Sequence, residues 1–229
     1  MNYSILWFLL FSAGFFGVIR LMELLRSRYH LPSELTRKIA HILSSLSSIL
    51  FMILFDDYLY VLVLGIFFFL VLYFGKKWNK FKSIDAIGRK SAGSFLLPLS
   101  ISFIFVFSNI SGNSLHFILP LLILGIADPI AGMAGTYIQK FNSEIYLFGI
   151  KTGKTKIGTS FFFLSTFVIS LFLLKIQGYS GMEFLLLLVF ITVVATFVEL
   201  ISSNGLDNFT VPMIVLVILY NEDYLFSMI

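Results

Sequence analysis

Long apolar runs alternate with short polar and charged segments along the whole chain. The runs cover residues 4–21, 37–55, 58–74, 92–107, 115–138, 157–175, 183–203 and 208–220. An α-helix needs about 20 mostly apolar residues to cross the hydrocarbon core of a bilayer. The pattern therefore predicts an all-α fold, a polytopic transmembrane helix bundle with seven to eight spans. The fourth and eighth runs are short for a full crossing and predict tilted or half-spanning helices.

Composition agrees with this pattern, because 59% of the 229 residues are hydrophobic and only 12% are charged. Soluble domains have about 45–50% apolar and about 25% charged residues. The spans leave only short loops, so we expect a single integral membrane domain over residues 1–229 and no separate soluble nucleotide-binding domain. The chain has no cysteine, which excludes disulfides, Cys-ligated zinc, iron–sulfur clusters and cysteine nucleophiles.

The basic residues indicate the orientation of these spans. All Lys and Arg residues except Lys175 fall in three polar segments, 20–38, 76–90 and 140–156, which lie on one side if consecutive runs cross in alternate directions. Positively charged loops are retained in the cytoplasm. We therefore expect cytoplasmic basic loops, an N-terminus outside and, with eight spans, both termini outside. Such loops explain the net charge of +4 without a nucleic-acid partner.

Two cations and a histidine begin the second apolar run. Arg37, Lys38 and His41 are separated by spacings of four and three residues, which place them on one face of a helix at the predicted cytoplasmic interface. Such a face suits a polyphosphate. The alternative is that Arg37 and Lys38 are interfacial anchors and that His41 forms a hydrogen bond inside the bundle.

Asp128 stands within an apolar stretch, where a carboxylate is energetically costly and indicates a functional site. Pro129 follows it, so we expect Asp128 to cap a new helical segment whose first amides could face an anion. Within this segment, Gly132 and Gly135 form a face of small residues together with Ala131. Small residues either let a ligand approach the backbone or let two helices pack closely.

A basic, glycine-rich loop covers residues 149–160 and suggests a phosphate-binding P-loop. The spacing rejects that motif, because Gly149 precedes Gly153 by three intervening residues instead of four and a membrane span follows. A different phosphate contact through Lys154 and backbone amides is still compatible with the sequence, as is a solvated positive loop. The same two alternatives apply to Arg89 and Ser91.

Acidic residues reappear near the end of the chain. Glu199 lies at the inner end of the seventh run, and Asp207 and Asn208 precede the eighth. Asp207 and Asn208 could simply cap the last helix. With Asp128, however, the acids fall on the same predicted face as the basic segments, and oxygen ligands beside cations suit Mg²⁺ and a nucleotide.

Five short motifs occur in a familiar order. They are Arg-Lys-x-x-His from residue 37, Arg-x-Ser-x-Gly from 89, Asp-x-x-Ala-Gly-x-x-Gly from 128, Lys-Thr-x-x-Gly-Thr from 154, and Glu-Leu followed by Gly-Leu-Asp-Asn-x-Thr-Val-Pro from 199 to 212. With these motifs in this order, the chain resembles the CTP-dependent lipid kinases, the family of dolichol kinases, phytol kinases and fungal-type diacylglycerol kinases. The resemblance covers about residues 37–212.

The resemblance implies an enzyme that moves the γ-phosphoryl group of CTP, with Mg²⁺, to a membrane lipid alcohol at the cytoplasmic face. It implies catalytic roles for Arg37, Lys38, His41 and Asp128. The implied nucleotide-binding residues are Arg89, Ser91, Gly132, Gly135, Lys154, Thr155, Gly158 and Asn208. The implied metal ligands are Asp128, Glu199 and Asp207. Ile157 departs from the pattern, since many relatives carry an acid there.

Two other functions are compatible with the same features. A phosphatidate cytidylyltransferase also uses CTP, Mg²⁺ and membrane helices, but its usual C-terminal signature does not occur here. A small-solute transporter could use Asp128 in a broken helix near mid-membrane, although the chain has no detectable inverted halves. The resemblance leaves the acceptor open among phytol, other polyprenols and diacylglycerol, and the sequence carries no signal for an oligomeric state.

Overall fold

The computed structural model of the protein describes residues 3–85, 91–138, 140, 142–147 and 149–227. Within these residues the helices are α1 (Tyr3–Tyr29), α2 (Ser33–Ser48), α3 (Phe51–Leu54), α4 (Tyr58–Lys77), α5 (Lys82–Asp85), α6 (Gly93–Ser111), α7 (Leu115–Leu122), α8 (Asp128–Tyr137), α9 (Lys156–Ile176), α10 (Gly181–Ile201), α11 (Asp207–Tyr220) and α12 (Glu222–Ser227). A π-helical segment, Ile123–Ala127, joins α7 to α8. Strands β1 (Glu144–Leu147) and β2 (Ile150–Thr155) form an antiparallel hairpin.

Seven helical segments of the described chain are long and apolar enough to cross a membrane. They are Tyr3–Tyr29, Ser33–Leu54, Tyr58–Lys77, Gly93–Ser111, Leu115–Tyr137, Lys156–Ile176 and Gly181–Ile201. The predicted all-α polytopic bundle is therefore confirmed, and the architecture is that of a multi-pass membrane protein. The last apolar helix, α11, has 14 residues and is short for a full crossing, as the sequence predicts. The same prediction for the fourth run is wrong, because that run forms α6, whose 19 residues are long enough to cross. The sidedness of the loops stays a prediction.

The helix Leu115–Tyr137 forms the centre of the bundle. Within its most apolar stretch 67% of the residues are buried in the protein, against 11% for α1. One hydrophobic core packs between this helix and α1, α4 and α6, and a second packs between it and α9, α10 and α11. The central helix thus carries Asp128 into the interior between both cores.

Asp128 does not start a new helix. Ala127 and Asp128 both have right-handed helical backbone angles, so the chain stays helical from 115 to 137 through the π segment. Pro129 accounts for the π segment, because it has no N–H to donate to the carbonyl of Gly125. The predicted helix start with free amides at Asp128 is therefore wrong, and what positions Asp128 is the wider π turn before it.

The hairpin was not predicted from the sequence, because the glycines and lysines of residues 149–160 are typical of a loop. Its register pairs Glu144 with Thr155 and Tyr146 with Lys151, and Gly149 lies in the connection with a φ of 80°. The Lys151 ammonium lies 2.6 Å from the Glu144 carboxylate. Because β2 runs directly into α9, the hairpin fixes the direction in which Lys154 leaves the backbone.

Helices α8 and α9 pack closely at Gly135. A Cβ at Gly135 would lie 2.8 Å from Thr155 Oγ1 and 3.5 Å from the Cα of Gly158. Thr155 Oγ1 accepts a hydrogen bond from the Gly158 amide at 3.2 Å, which caps α9. This contact shows a packing role for the small face of α8 and for Gly158.

We expect Gly135→Ala to lower the free energy of unfolding by about 1–2 kcal/mol, because the new methyl group displaces this cap or separates the helices. Thermal unfolding in one detergent measures the change. The matched control is Gly17→Ala in α1, where a Cβ meets no atom within 4 Å. Equal unfolding temperatures for the two variants would contradict the close packing.

Candidate active site

A polar cleft of about 820 Å³ lies at the end of the bundle where α2 begins and α10 ends. Its volume is within the usual range of ligand pockets, about 300–1,000 Å³. Most of the predicted site residues line it, namely Arg37, Lys38, Ser91, Asp128, Gly132, Gly135, Lys154, Thr155, Gly158, Glu199, Asp207 and Asn208. Arg89 lies outside the described residues, and His41 lines a different cavity. The fold thus gathers residues from positions 37 to 208 into one site.

Lys38 and Asp128 form the innermost ion pair of the cleft. The Lys38 ammonium lies 2.6 Å from Asp128 Oδ2 and donates a second hydrogen bond to the Asp128 backbone carbonyl at 3.3 Å. Lys38 is 3% exposed and Asp128 is 7% exposed. An interfacial anchor would hold its ammonium out of the protein. The burial of Lys38 therefore favours a role inside the site.

His41 lies near the same oxygen of Asp128. Its Nδ1 atom is 3.7 Å from Asp128 Oδ2, and the imidazole is buried. The other ring nitrogen, Nε2, has no hydrogen-bond partner among the described residues. Asp128 is thus placed between an ammonium and an imidazole that leaves one nitrogen unsatisfied.

Lys154 holds two carboxylates at the opposite wall of the cleft. Its ammonium lies 2.5 Å from Glu199 Oε1 and 2.6 Å from Asp207 Oδ2. Burial by itself lowers the pKa of Lys154, but the charges of Asp207, Glu199 and Asp128 outweigh it and raise that pKa above its ordinary value. Lys154 therefore stays a cation in the site. Glu199 Oε2 is buried and has no hydrogen-bond partner among the described residues.

Arg37 is the third cation of the cleft. Its guanidinium pairs with the Glu34 carboxylate at 2.6 Å, one helical turn earlier. Sequence reasoning missed Glu34, although its spacing of three residues from Arg37 on a helix is a recognisable signal. The pair fixes the guanidinium at the mouth of the cleft.

Asp207 and Asn208 make tertiary contacts at the start of α11. Asp207 Oδ2 binds Lys154, and the Asn208 side-chain amide donates to the Gly93 carbonyl at 2.8 Å. Asp207 Oδ1 also accepts a hydrogen bond from the Asn208 backbone amide at 3.0 Å. Asp207 therefore satisfies an amide in the first turn of the helix and contributes to the cleft as well.

A turn at Asn204 and Gly205 packs against the start of α6, and this is a part of the site that the sequence analysis missed. The amide of Ala92 donates to the Asn204 carbonyl at 2.7 Å, and Gly205, with a φ of 81°, lies against Ser91 and Gly93. The dipeptide Asn-Gly is a turn signal that could have located it. The turn closes the cleft on the side of Ser91.

A second group missed from the sequence lies behind Ser91. Lys76 donates to the Ser91 carbonyl and lies 3.8 Å from Asp85, which accepts a hydrogen bond from Ser94 at 2.8 Å. Burial raises the pKa of Asp85 in spite of the hydrogen bond from Ser94 and the charge of Lys76. These residues support the backbone of the cleft and do not line it.

The three predicted metal ligands do not form one cluster. The described residues contain no group of three or more His, Asp or Glu side chains arranged to hold a metal ion. Asp128 pairs with Lys38, whereas Glu199 and Asp207 pair with Lys154. Mg²⁺ is usually bound through one or two carboxylates and the phosphates of a substrate. Glu199 Oε2, which has no hydrogen-bond partner among the described residues, is a carboxylate oxygen of the cleft with the chemistry of a metal ligand.

A narrow apolar cavity of about 80 Å³ lies beside the cleft, between α1, α2, α4 and α6. Its walls include Phe15, Val61, Phe68, Ile101 and the imidazole of His41. Arg37 and Asn208 line both the cavity and the cleft. The two spaces therefore meet at these residues.

Comparison of the chain with protein-family models, with curated proteins and with solved structures gives no match. Among the described residues, four cations and four carboxylates line one cleft beside an apolar cavity. This arrangement is suited to binding a polyanion.

Proposed function

We propose that this protein is a lipid-alcohol kinase that transfers the γ-phosphoryl group of CTP to a prenol or to diacylglycerol at the cytoplasmic membrane face. The observation that carries the proposal is the cleft in which Arg37, Lys38 and Lys154 face Asp128, Glu199 and Asp207. Phosphoryl transfer needs little covalent chemistry from a protein. It depends on positioning and on charge stabilisation around the phosphates, which such a cleft supplies.

The cations have separate tasks in this proposal. Lys38 and Lys154 neutralise the phosphates from opposite walls of the cleft, and Arg37 at its mouth faces the place where phosphate and acceptor meet. Glu199 and Asp207, whose carboxylates meet at Lys154, would hold Mg²⁺ together with phosphate oxygens of the nucleotide. A metal ion bound there would supply charge neutralisation for the phosphates.

The ion pairs of the cleft are consistent with such binding. A buried lysine needs a negative partner, which Asp128 provides for Lys38 and Asp207 for Lys154. Phosphate oxygens carry the same sign of charge and would be alternative partners of these lysines.

The choice of CTP and of a lipid acceptor rests on the resemblance in motif order. The helical surroundings support the lipid acceptor, because a membrane-embedded chain presents this cleft next to apolar helices. The basic loops support a cytoplasmic site, where CTP is available.

The test uses membranes that contain the protein, with Mg²⁺, a panel of prenols and diacylglycerol, and CTP labelled at the α or the γ phosphate. We expect γ label in the lipid phase, which a chelator of Mg²⁺ removes. Asp56→Asn, an exposed acid in the loop before α4, is the matched control and keeps full transfer. Lipid-phase α label would instead indicate a cytidylyltransferase, and no label with any acceptor would contradict the proposal.

A further inference from the structure

We propose that the hairpin of β1 and β2 holds the base of the nucleotide, with Tyr146 stacked on the ring and with Glu144 and Lys151 bound to its polar edge. The inference rests on the proposed kinase function and extends it, because it assigns the residues that distinguish CTP from UTP. These three side chains lie outside the five short motifs of the sequence.

The polar cleft continues along β2 from its interior to its rim. All of residues 151–155 line it. The side chain of Lys154 is 15% exposed and pairs with Glu199 and Asp207, whereas that of Lys151 is 56% exposed. Three residues of extended strand separate the two lysines by roughly 10 Å. In CTP the ribose and the inner phosphates separate the base from the γ-phosphate, so phosphates at Lys154 place the base near Lys151.

The wall of the cleft between these two lysines is open. Gly153 lies between them, and a Cβ at this position would meet no atom of the described residues within 4 Å. A glycine inside a strand often marks a place where a ligand approaches the backbone closely. A ribose between Lys154 and Lys151 therefore has a free path along β2.

Glu144, Tyr146 and Lys151 form one group at the rim of the cleft. The register pairs Tyr146 with Lys151 directly across the hairpin, so that both side chains lie on the same face. The Lys151 ammonium lies 2.6 Å from Glu144 Oε1, and the Tyr146 hydroxyl lies 3.5 Å from Glu144 Oε2. The group thus combines an aromatic ring, a carboxylate and an ammonium.

The three side chains are accessible to a ligand. Tyr146 is 59% exposed, and the side chain of Glu144 is 45% exposed. An exposed ion pair such as that of Lys151 with Glu144 contributes little to stability, so its contacts can be exchanged for those of a ligand. The exposed Tyr146 ring offers a flat apolar surface next to these charges.

The two charges match the edge of cytosine. Cytosine carries an amino group at C4, which donates to a carboxylate, and beside it the acceptors N3 and O2, to which an ammonium can donate. Uracil carries a carbonyl oxygen at C4, and this oxygen would face the Glu144 carboxylate without a proton between them. Adenine shares the donor and acceptor pattern of cytosine, so the discrimination concerns CTP against UTP. Stacking on Tyr146 adds affinity for either pyrimidine, because every base has a π face.

The test is equilibrium binding of labelled CTP to the purified protein with Mg²⁺, in competition with unlabelled CTP, UTP and inorganic tripolyphosphate. We expect the parent protein to bind CTP about tenfold more tightly than UTP, on the scale of one base contact. Glu144→Gln should lose this preference, because the amide of glutamine can donate to the C4 oxygen of uracil. Its affinity for tripolyphosphate should not fall, because that probe reports only the phosphate part of the cleft.

Tyr146→Ala tests the stacking contact separately. We expect it to weaken the binding of CTP and of UTP alike by about tenfold, the scale of one base–aromatic contact, without weakening that of tripolyphosphate. Tyr146→Phe keeps the ring and should bind both nucleotides normally. Ile150→Ala is the matched control in the hairpin, because Ile150 is 72% exposed and does not line the cleft, and it should leave all three affinities unchanged.

An unchanged ratio of CTP to UTP affinity in a Glu144→Gln variant that keeps the thermal stability of the parent protein would overturn the base site. Normal nucleotide binding by Tyr146→Ala would overturn it as well. Weaker tripolyphosphate binding by Tyr146→Ala would also count against it, because the defect would then lie in the shape of the cleft and not in lost stacking.

The binding assay needs no lipid acceptor, so it separates the base site from the kinase. Base selection by the hairpin without γ-phosphoryl transfer to any lipid alcohol would refute the kinase alone. Transfer with an unchanged preference for CTP in Glu144→Gln would refute the base site alone.

Discussion

Asp128→Asn is expected to lower γ-phosphoryl transfer by roughly 10³-fold, the scale of losing one preorganised electrostatic group in an active site. The variant keeps the shape of the side chain but removes the charge that balances Lys38 and lies near His41. The measurement is the rate of γ-label transfer from CTP to the lipid phase.

Loss of folding has to be separated from loss of chemistry in this variant. Leaving one member of a buried ion pair unpaired costs about 3–5 kcal/mol of stability. The double variant Lys38→Met with Asp128→Asn removes both charges, so we expect it to regain most of the stability and none of the activity. Substantial transfer by either folded variant would show that Asp128 is not part of the mechanism.

Lys154→Met is expected to cost stability as well as activity. The substitution leaves Glu199 and Asp207 facing each other without the ammonium that they share, and an uncompensated buried charge is destabilising by about 3–5 kcal/mol. Activity is lost because one wall of the cleft no longer carries a cation for the phosphates. Denaturant unfolding in detergent and the transfer assay measure the two effects.

Two further variants make this prediction specific. Adding Glu199→Gln to Lys154→Met removes one of the opposed carboxylates and should recover part of the stability without recovering transfer. Lys77→Met, at the end of α4, is the control, because Lys77 is exposed and does not line the cleft, and it should change neither property. Equal behaviour of the Lys77 and Lys154 variants would mean that the buried contacts of Lys154 have no special role.

The helices were predictable from the sequence, because about 20 consecutive apolar residues have few alternatives to a spanning helix. The hairpin at Glu144–Thr155 was not predictable in the same way. Its strands are short, and the glycines and lysines of the second strand are typical of a loop. The π segment before Asp128 was not predicted, because a proline such as Pro129 is also typical of the first position of a new helix.

Some of the residues that form the candidate site were predictable from the sequence. Residues such as Asp128 and Lys38 stand out because charge inside an apolar run is costly, so the sequence alone marks them. The ion-pair partners of Lys154 do not stand out in this way, because nothing in the local sequence shows that Lys154 binds both Glu199 and Asp207. Pairing across more than forty positions depends on which helix ends the fold brings together.

By itself, the sequence determined that this is a polytopic helical membrane protein, because the length of a hydrophobic run is a local property. Only the tertiary structure decided that His41 faces an apolar cavity while Arg37 and Lys38 line a polar cleft. All three share one stretch of α2. Which space each side chain enters is set by the helices that pack around α2, and a one-dimensional pattern does not contain that packing.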